Sequence, residues 1–152
     1  MNDIHMPPKK THQHWMQACL AIAETALPKD VPVGALLLDG AGNLVAEACN
    51  RREVDSDPTA HAEMLVLKAA GKALGNWRLN DCTLYVSLEP CPMCASAIAQ
   101  ARISTVVFGA YDPVMGACGS KLGLLPDSAK CEVIGGILEE PCGELLRSFF
   151  RT

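Results

Sequence analysis

Two short stretches carry residue types able to do chemistry together: His61-Ala62-Glu63, and Pro90-Cys91-Pro92-Met93-Cys94. Both read as helix starts. The first amides of a helix are unpaired and its dipole favours negative charge, so Cys91 and Cys94 are expected to ionise more readily than ordinary cysteines. A Cys-x-x-Cys pair in that position can aim both sulfurs at one metal ion at about 2.3 Å, with a histidine nitrogen as third ligand at about 2.0 Å. The same pair before a helix is also the form of a thiol redox site. His61-Ala62-Glu63 breaks the tie in favour of a metal, zinc being the natural choice for two thiolates and an imidazole.

The ligand count then decides the kind of site. The chain has no second Cys-x-x-Cys pair and no further Cys or His placed beside the first three. The fourth position is expected to hold water or hydroxide, which marks a catalytic zinc, one per chain, with His61, Cys91 and Cys94 as ligands. Bound zinc lowers the pKa of its water toward about 7. Glu63, two residues after His61, can reach that water without being a ligand and carry a proton to a leaving group. Hydroxide attack on an amidine-like carbon followed by loss of the amine is hydrolytic deamination. His-x-Glu followed about thirty residues later by Pro-Cys-x-x-Cys is the recognised signature of zinc deaminases, and the assignment rests on that known pattern.

Patterning along the chain supplies the elements that must hold these groups. Trp15, Met16, Cys19, Leu20, Ile22, Ala23 and Leu27 recur at helical spacing, predicting a helix over 12–27 stopped by Pro28. Strands are expected at 33–38 and 44–49, joined by the turn-forming Asp39-Gly40-Ala41-Gly42-Asn43. Asp57-Pro58-Thr59 reads as cap and first turn of a helix running to about Leu74, with Gly75-Asn76 as its end. A strand over 83–88, a helix over 91–102 and a strand over 105–108 suggest a crossover between parallel neighbours. A Gly-, Asp- and Pro-containing loop spans 109–119, a weak strand lies at 132–134, and a helix is expected over 139–150. The sum is one α/β domain over 12–152 with helices on both faces of a mixed sheet, preceded by a flexible tail at 1–11.

Composition narrows the partners. The 152 residues are 49% hydrophobic, 20% charged and 5% aromatic, as in ordinary globular proteins. Thirteen Lys and Arg stand against 17 Asp and Glu, a formal net charge of −4, which argues against sequence-blind coating of nucleic acid. Seven aromatic residues are too few for a row of base-stacking platforms, so a nucleic acid would instead offer one base to a pocket. No apolar run approaches the roughly 20 residues that span a bilayer, so no membrane partner is expected. Residues 1–10 lack the apolar core of a secretion signal, so the eight cysteines are expected to be reduced, in a cytoplasm. Six of them, Cys19, Cys49, Cys82, Cys118, Cys131 and Cys142, read as small apolar groups.

At its motifs the chain resembles the cytidine deaminase superfamily and, more closely, the bacterial tRNA-specific adenosine deaminases. The likeness runs in order through Val31-Pro32-Val33-Gly34-Ala35, Asn50-Arg51, Asp57 to Glu63, Leu84-Tyr85-Val86, Leu88-Glu89-Pro90-Cys91, Val106 to Ala110, Gly116-Ala117 and Phe149-Phe150-Arg151, covering about residues 12 to 151. The resemblance implies a three-layer α/β/α sandwich with a mixed five-stranded sheet. It further implies a zinc-containing homodimer that converts adenosine to inosine at the wobble position of a tRNA anticodon, the anticodon stem-loop being its partner.

By position, the resemblance also gives Asn50 a hydrogen bond to the purine and Asp112 a contact with the flanking nucleotide. Their ordinary roles would be a strand end and a turn. Tyr111 and Val114 stand where a family member carries basic residues, leaving Arg51, Arg52, Lys121, Lys130, Arg147 and Arg151 to grip phosphate. The alternative enzyme reading is a deaminase of a free base or nucleoside such as guanine or cytosine. Other classes are a zinc-stabilised scaffold, which Glu63 argues against, and a thiol redox protein, which has no use for His61 and Glu63.

Overall fold

The computed structural model describes residues 10–125 and 130–151. Most of the tail expected at 1–11, its first nine residues, lies outside the described residues, as does Thr152. In chain order the elements are α1 (His12–Glu24), β1 (Gly34–Leu38), β2 (Leu44–Cys49), α2 (Ala62–Leu74), β3 (Thr83–Leu88), α3 (Pro92–Gln100), β4 (Thr105–Ala110), β5 (Glu132–Ile134) and α4 (Glu139–Phe150). The five strands form one sheet in the order β2-β1-β3-β4-β5. β1 pairs antiparallel with β2 and β3, while β3, β4 and β5 run parallel. This is the mixed five-stranded sheet the resemblance implies.

Period-two alternation makes the sheet two-faced. Ala35, Leu37, Leu84, Val86, Val106 and Phe108 face a core closed by Ala62, Val66 and Ala70 of α2 and by Ala95 and Ile98 of α3. Leu36, Leu38, Tyr85 and Val107 point the other way, against Met16, Cys19 and Leu20 of α1 and Cys142 of α4. The central strands are therefore apolar on both faces, and three layers result.

Several boundaries differ from the sequence reading, each for a local reason. α1 stops at Glu24, three residues short, because Thr25 closes the turn and its hydroxyl donates to the Ile22 carbonyl. α2 begins at Ala62 and not at Asp57. Asp57 Oδ1 accepts from both the amide (2.9 Å) and the hydroxyl (2.8 Å) of Thr59, so it closes its own turn instead of capping the helix. His61 becomes the N-cap residue, in extended conformation (φ −71°, ψ 151°), with no side-chain capping bond to occupy its ring. At the far end Gly75 adopts the left-handed conformation (φ 65°) expected of a helix stop. α3 spans Pro92–Gln100 with Cys91 as its N-cap, and β4 runs two residues further than expected because Ala110 still pairs with Leu88.

Candidate active site

The site lies at one edge of the sheet. β3 and β4 both end there, β2 ends there at Cys49, and the antiparallel β1 begins there at Gly34, opposite Cys49. Carboxyl ends of parallel strands are the usual place for a ligand in an open α/β sheet. α2 and α3 start at that edge. Their N-cap residues His61 and Cys91, together with Cys94 one turn into α3, converge although 30 and 33 residues separate the cysteines from the histidine. His61 Nδ1 is 3.6 Å from Cys91 Sγ and 3.5 Å from Cys94 Sγ, and the three atoms lie within 4.8 Å of one another. Among the described residues this is the one cluster of three such groups able to hold a metal ion.

Electrostatics follow from placement. Cys91 accepts a hydrogen bond from the Cys94 thiol and faces His61 at a helix start, which together pull its pKa down to about 4. Cys94, donating to that thiolate and buried, is shifted upward. Hydrogen bonding to Cys91 raises the His61 pKa, outweighing its burial. Glu63 sits in the first turn of α2 with only 4% of its surface exposed, and burial raises its carboxyl pKa, opposed chiefly by a backbone hydrogen bond. A soft, anionic two-sulfur, one-nitrogen donor set beside a buried carboxylate fits a zinc ion and a proton carrier.

A cleft of about 380 Å³ opens over these groups, lined among others by Asn50, His61, Glu63, Cys91 and Asp112. Five of the six expected site residues thus share one cleft, and the sixth, Cys94, is buried behind it. Asn50 is 8% exposed. Its side-chain amide nitrogen donates to the Val31 carbonyl (3.3 Å), and its oxygen accepts from the Arg52 amide (3.4 Å). Asp112 does the turn work its sequence suggested, with Oδ1 accepting from the amides of Val114 and Met115, both at 3.0 Å. Two larger but shallow hollows on the outer face of α2 and α3, about 480 and 550 Å³, contain no His, Cys or carboxylate side chain.

Arg52 and Ala62 also line the cleft, and sequence reading assigned no site role to five further lining residues: Val31 and Val33 before β1, Leu88 at the end of β3, and the exposed Met115 and Phe150. The available signal was position, since Leu88 ends a strand at the cleft edge and Val31 and Val33 lead into one. Phe150 is brought in by α4 from the far end of the chain, which no local pattern announces.

An α/β/α sandwich with a His/Cys/Cys cluster at paired helix starts is the architecture of one class of enzymes. Residues 9–110 match the model of the cytidine and deoxycytidylate deaminase zinc-binding region, and the chain belongs to that family. Within it, the chain is 48% identical over 141 residues to the tRNA-specific adenosine deaminase of Bacillus subtilis, covering 90% of this chain and 87% of the relative. A structure solved in work on A-to-I editing by tRNA:A34 deaminases at the wobble position superposes with a TM-score of 0.84 at 39% identity, over 89% of this chain and all of that one. The guanine deaminase of Nitrosomonas europaea superposes with a TM-score of 0.82 over the whole chain and 99% of its own, but at 23% identity it shares the fold alone.

Proposed function

We propose that this protein deaminates adenosine to inosine at the wobble position of a tRNA anticodon, with a zinc ion held by His61, Cys91 and Cys94. The observation that carries the reading is the convergence of those three donors beside the buried Glu63, in a chain nearly half identical to a tRNA-specific adenosine deaminase. When bound, zinc supplies the Lewis acidity that makes water a nucleophile at neutral pH.

The chain's own residues do the rest. Glu63, kept dry at the cleft floor, takes up the proton and passes it to the exocyclic amine at C6, so that water and adenosine leave as ammonia and inosine. Val31, Val33 and Leu88 give the flat base an apolar slot. Asn50 would bond the purine edge by exchanging its two long internal hydrogen bonds for bonds to the base. Asp112 and Met115 stand where the neighbouring nucleotides pass the cleft mouth. A loop nucleotide splayed from a folded RNA enters at less cost than one drawn from a duplex.

The same reading includes a cytoplasmic homodimer acting as one domain over residues 12–152. No helix among the described residues is long and apolar enough to cross a membrane. The deciding experiment incubates the purified protein with an anticodon stem-loop bearing adenosine at the wobble position, and separately with free adenosine, guanine and cytosine. Inosine and ammonia are expected from the stem-loop only. Turnover of a free base with an inert stem-loop would move the assignment to the free-base deaminases.

A further inference from the structure

Glu89, between the last residue of β3 and the Pro-Cys-x-x-Cys turn, is a charged side chain 2% exposed. Among the described residues no cation forms an ion pair with it. A buried carboxylate without a counter-ion is costly unless donors replace its water. Among the described residues, its side-chain partners all come from one loop. Oε1 accepts from the Asp112 amide (3.0 Å) and the Ser120 hydroxyl, and Oε2 accepts from the amides of Cys118 (3.1 Å) and Ser120 (3.0 Å). The loop passes so close that a Cβ on Gly116 would lie 2.4 Å from Glu89 Cδ, which leaves glycine as the side chain that fits. Main-chain bonds clamp both sides, Glu89 N to Ala110 O (2.9 Å) and Ala117 N to Pro90 O (2.8 Å).

The loop gathered on this carboxylate supplies Asp112 and Met115 to the cleft wall, and its anchor is two residues from Cys91. We propose that Glu89 is a positioning residue for substrate: its buried carboxylate fixes residues 111–120 so that Asp112 and Met115 meet the nucleotides beside the target adenosine in a preformed geometry. This rests on the RNA-deaminase reading and extends it from the reacting base to its flanks. A preformed wall saves the ordering cost that a free loop would impose on binding. Glutamine cannot replace the carboxylate, because its amide nitrogen would face N–H donors instead of accepting from them.

The test uses Glu89→Gln, which removes acceptors, and Gly116→Ala, which pushes the loop off an intact carboxylate. Zinc content, amide hydrogen exchange of residues 111–120, and kcat and KM on the anticodon stem-loop are compared with the parent. Both variants are expected to keep zinc and to exchange those loop amides at least about tenfold faster with β3 and β4 unchanged, while KM rises about tenfold and kcat barely moves.

Unchanged loop exchange in folded Glu89→Gln protein would overturn the proposal. So would a loss confined to kcat, or loss of zinc from both variants, which would place the effect at the metal ligands. Should neither variant fold, Ser120→Ala removes a single donor from an exposed residue, and a smaller shift of loop exchange and KM in the same direction is required. If the parent itself leaves the stem-loop untouched, the functional reading fails, and the exchange data still decide whether Glu89 holds the loop.

Discussion

Substitutions at Glu63 and Cys91 separate the proposed proton transfer from the proposed metal binding. Glu63 is buried and is not needed as a ligand, so Glu63→Ala should retain zinc and the native circular dichroism spectrum. Its deamination rate should fall by about 10²–10⁴-fold, the range for losing a positioned general acid–base. Near-parental turnover in such a protein would remove Glu63 from the proton path. Cys91→Ala takes away a proposed ligand and the thiolate that hydrogen bonds from Cys94 and His61 stabilise. Metal analysis should show zinc falling from about one per chain to a small fraction, with activity lost in parallel. A zinc-free parent with a reducible Cys91–Cys94 disulfide would instead mark a redox site. Among single residues the sequence was most informative where chemistry is intrinsic to side chains, at His61, Glu63, Cys91 and Cys94. It was least informative at Asn50 and Asp112, whose side chains also satisfy backbone groups.

At the scale of elements, α3 and its N-cap residue carry two of the three proposed metal donors, and the helix is held to the sheet by Ala95 and Ile98, both fully buried. Ile98→Ala leaves a cavity under the helix and is expected to destabilise the fold by about 2–5 kcal/mol in urea or thermal unfolding. Affinity for zinc should weaken as the helix start loosens. A loss near zero would mean that α3 is held by its ends and not by its apolar face. By contrast, Thr11, which is not among the residues lining the cleft, caps α1 by accepting from the His14 amide (3.1 Å). Thr11→Ala should cost about 1 kcal/mol, with kcat and KM unchanged. Most strands and helices were legible because apolar periodicity is local. The start of α2 was misread because Asp57 and Thr59 satisfy each other, and cap chemistry looks the same in sequence whether it opens a helix or a turn.

For the whole molecule, an acidic chain must grip RNA through a few well-placed cations. The fold separates four of the six expected from sequence, while Lys121 and Lys130 are exposed. Arg52 lines the cleft, whereas Arg51 pairs with Asp55, and Arg147 and Arg151 pair with carboxylates of α4. Arg52→Glu is therefore expected to weaken stem-loop binding more than charge reversal at Arg147, and to reduce the slope of log K against log salt by about 0.7 or more. Equal effects at both positions would spread the grip over the surface and away from the cleft. Sedimentation equilibrium should return a mass near twice that of the chain if the proposed homodimer is correct.

The sequence by itself determined the candidate reacting groups, the presence of the helices that follow them, and the apolar strands of a mixed sheet, since these depend on side-chain chemistry and on spacing of a few residues. Only the tertiary structure decided that His61 meets Cys91 and Cys94 and that Val31, Phe150 and Met115 wall the same cleft. It also showed that Glu89 gathers the loop behind them. Those contacts join residues far apart in the chain, and they depend on strand order and register across the whole sheet, which no local window of sequence contains.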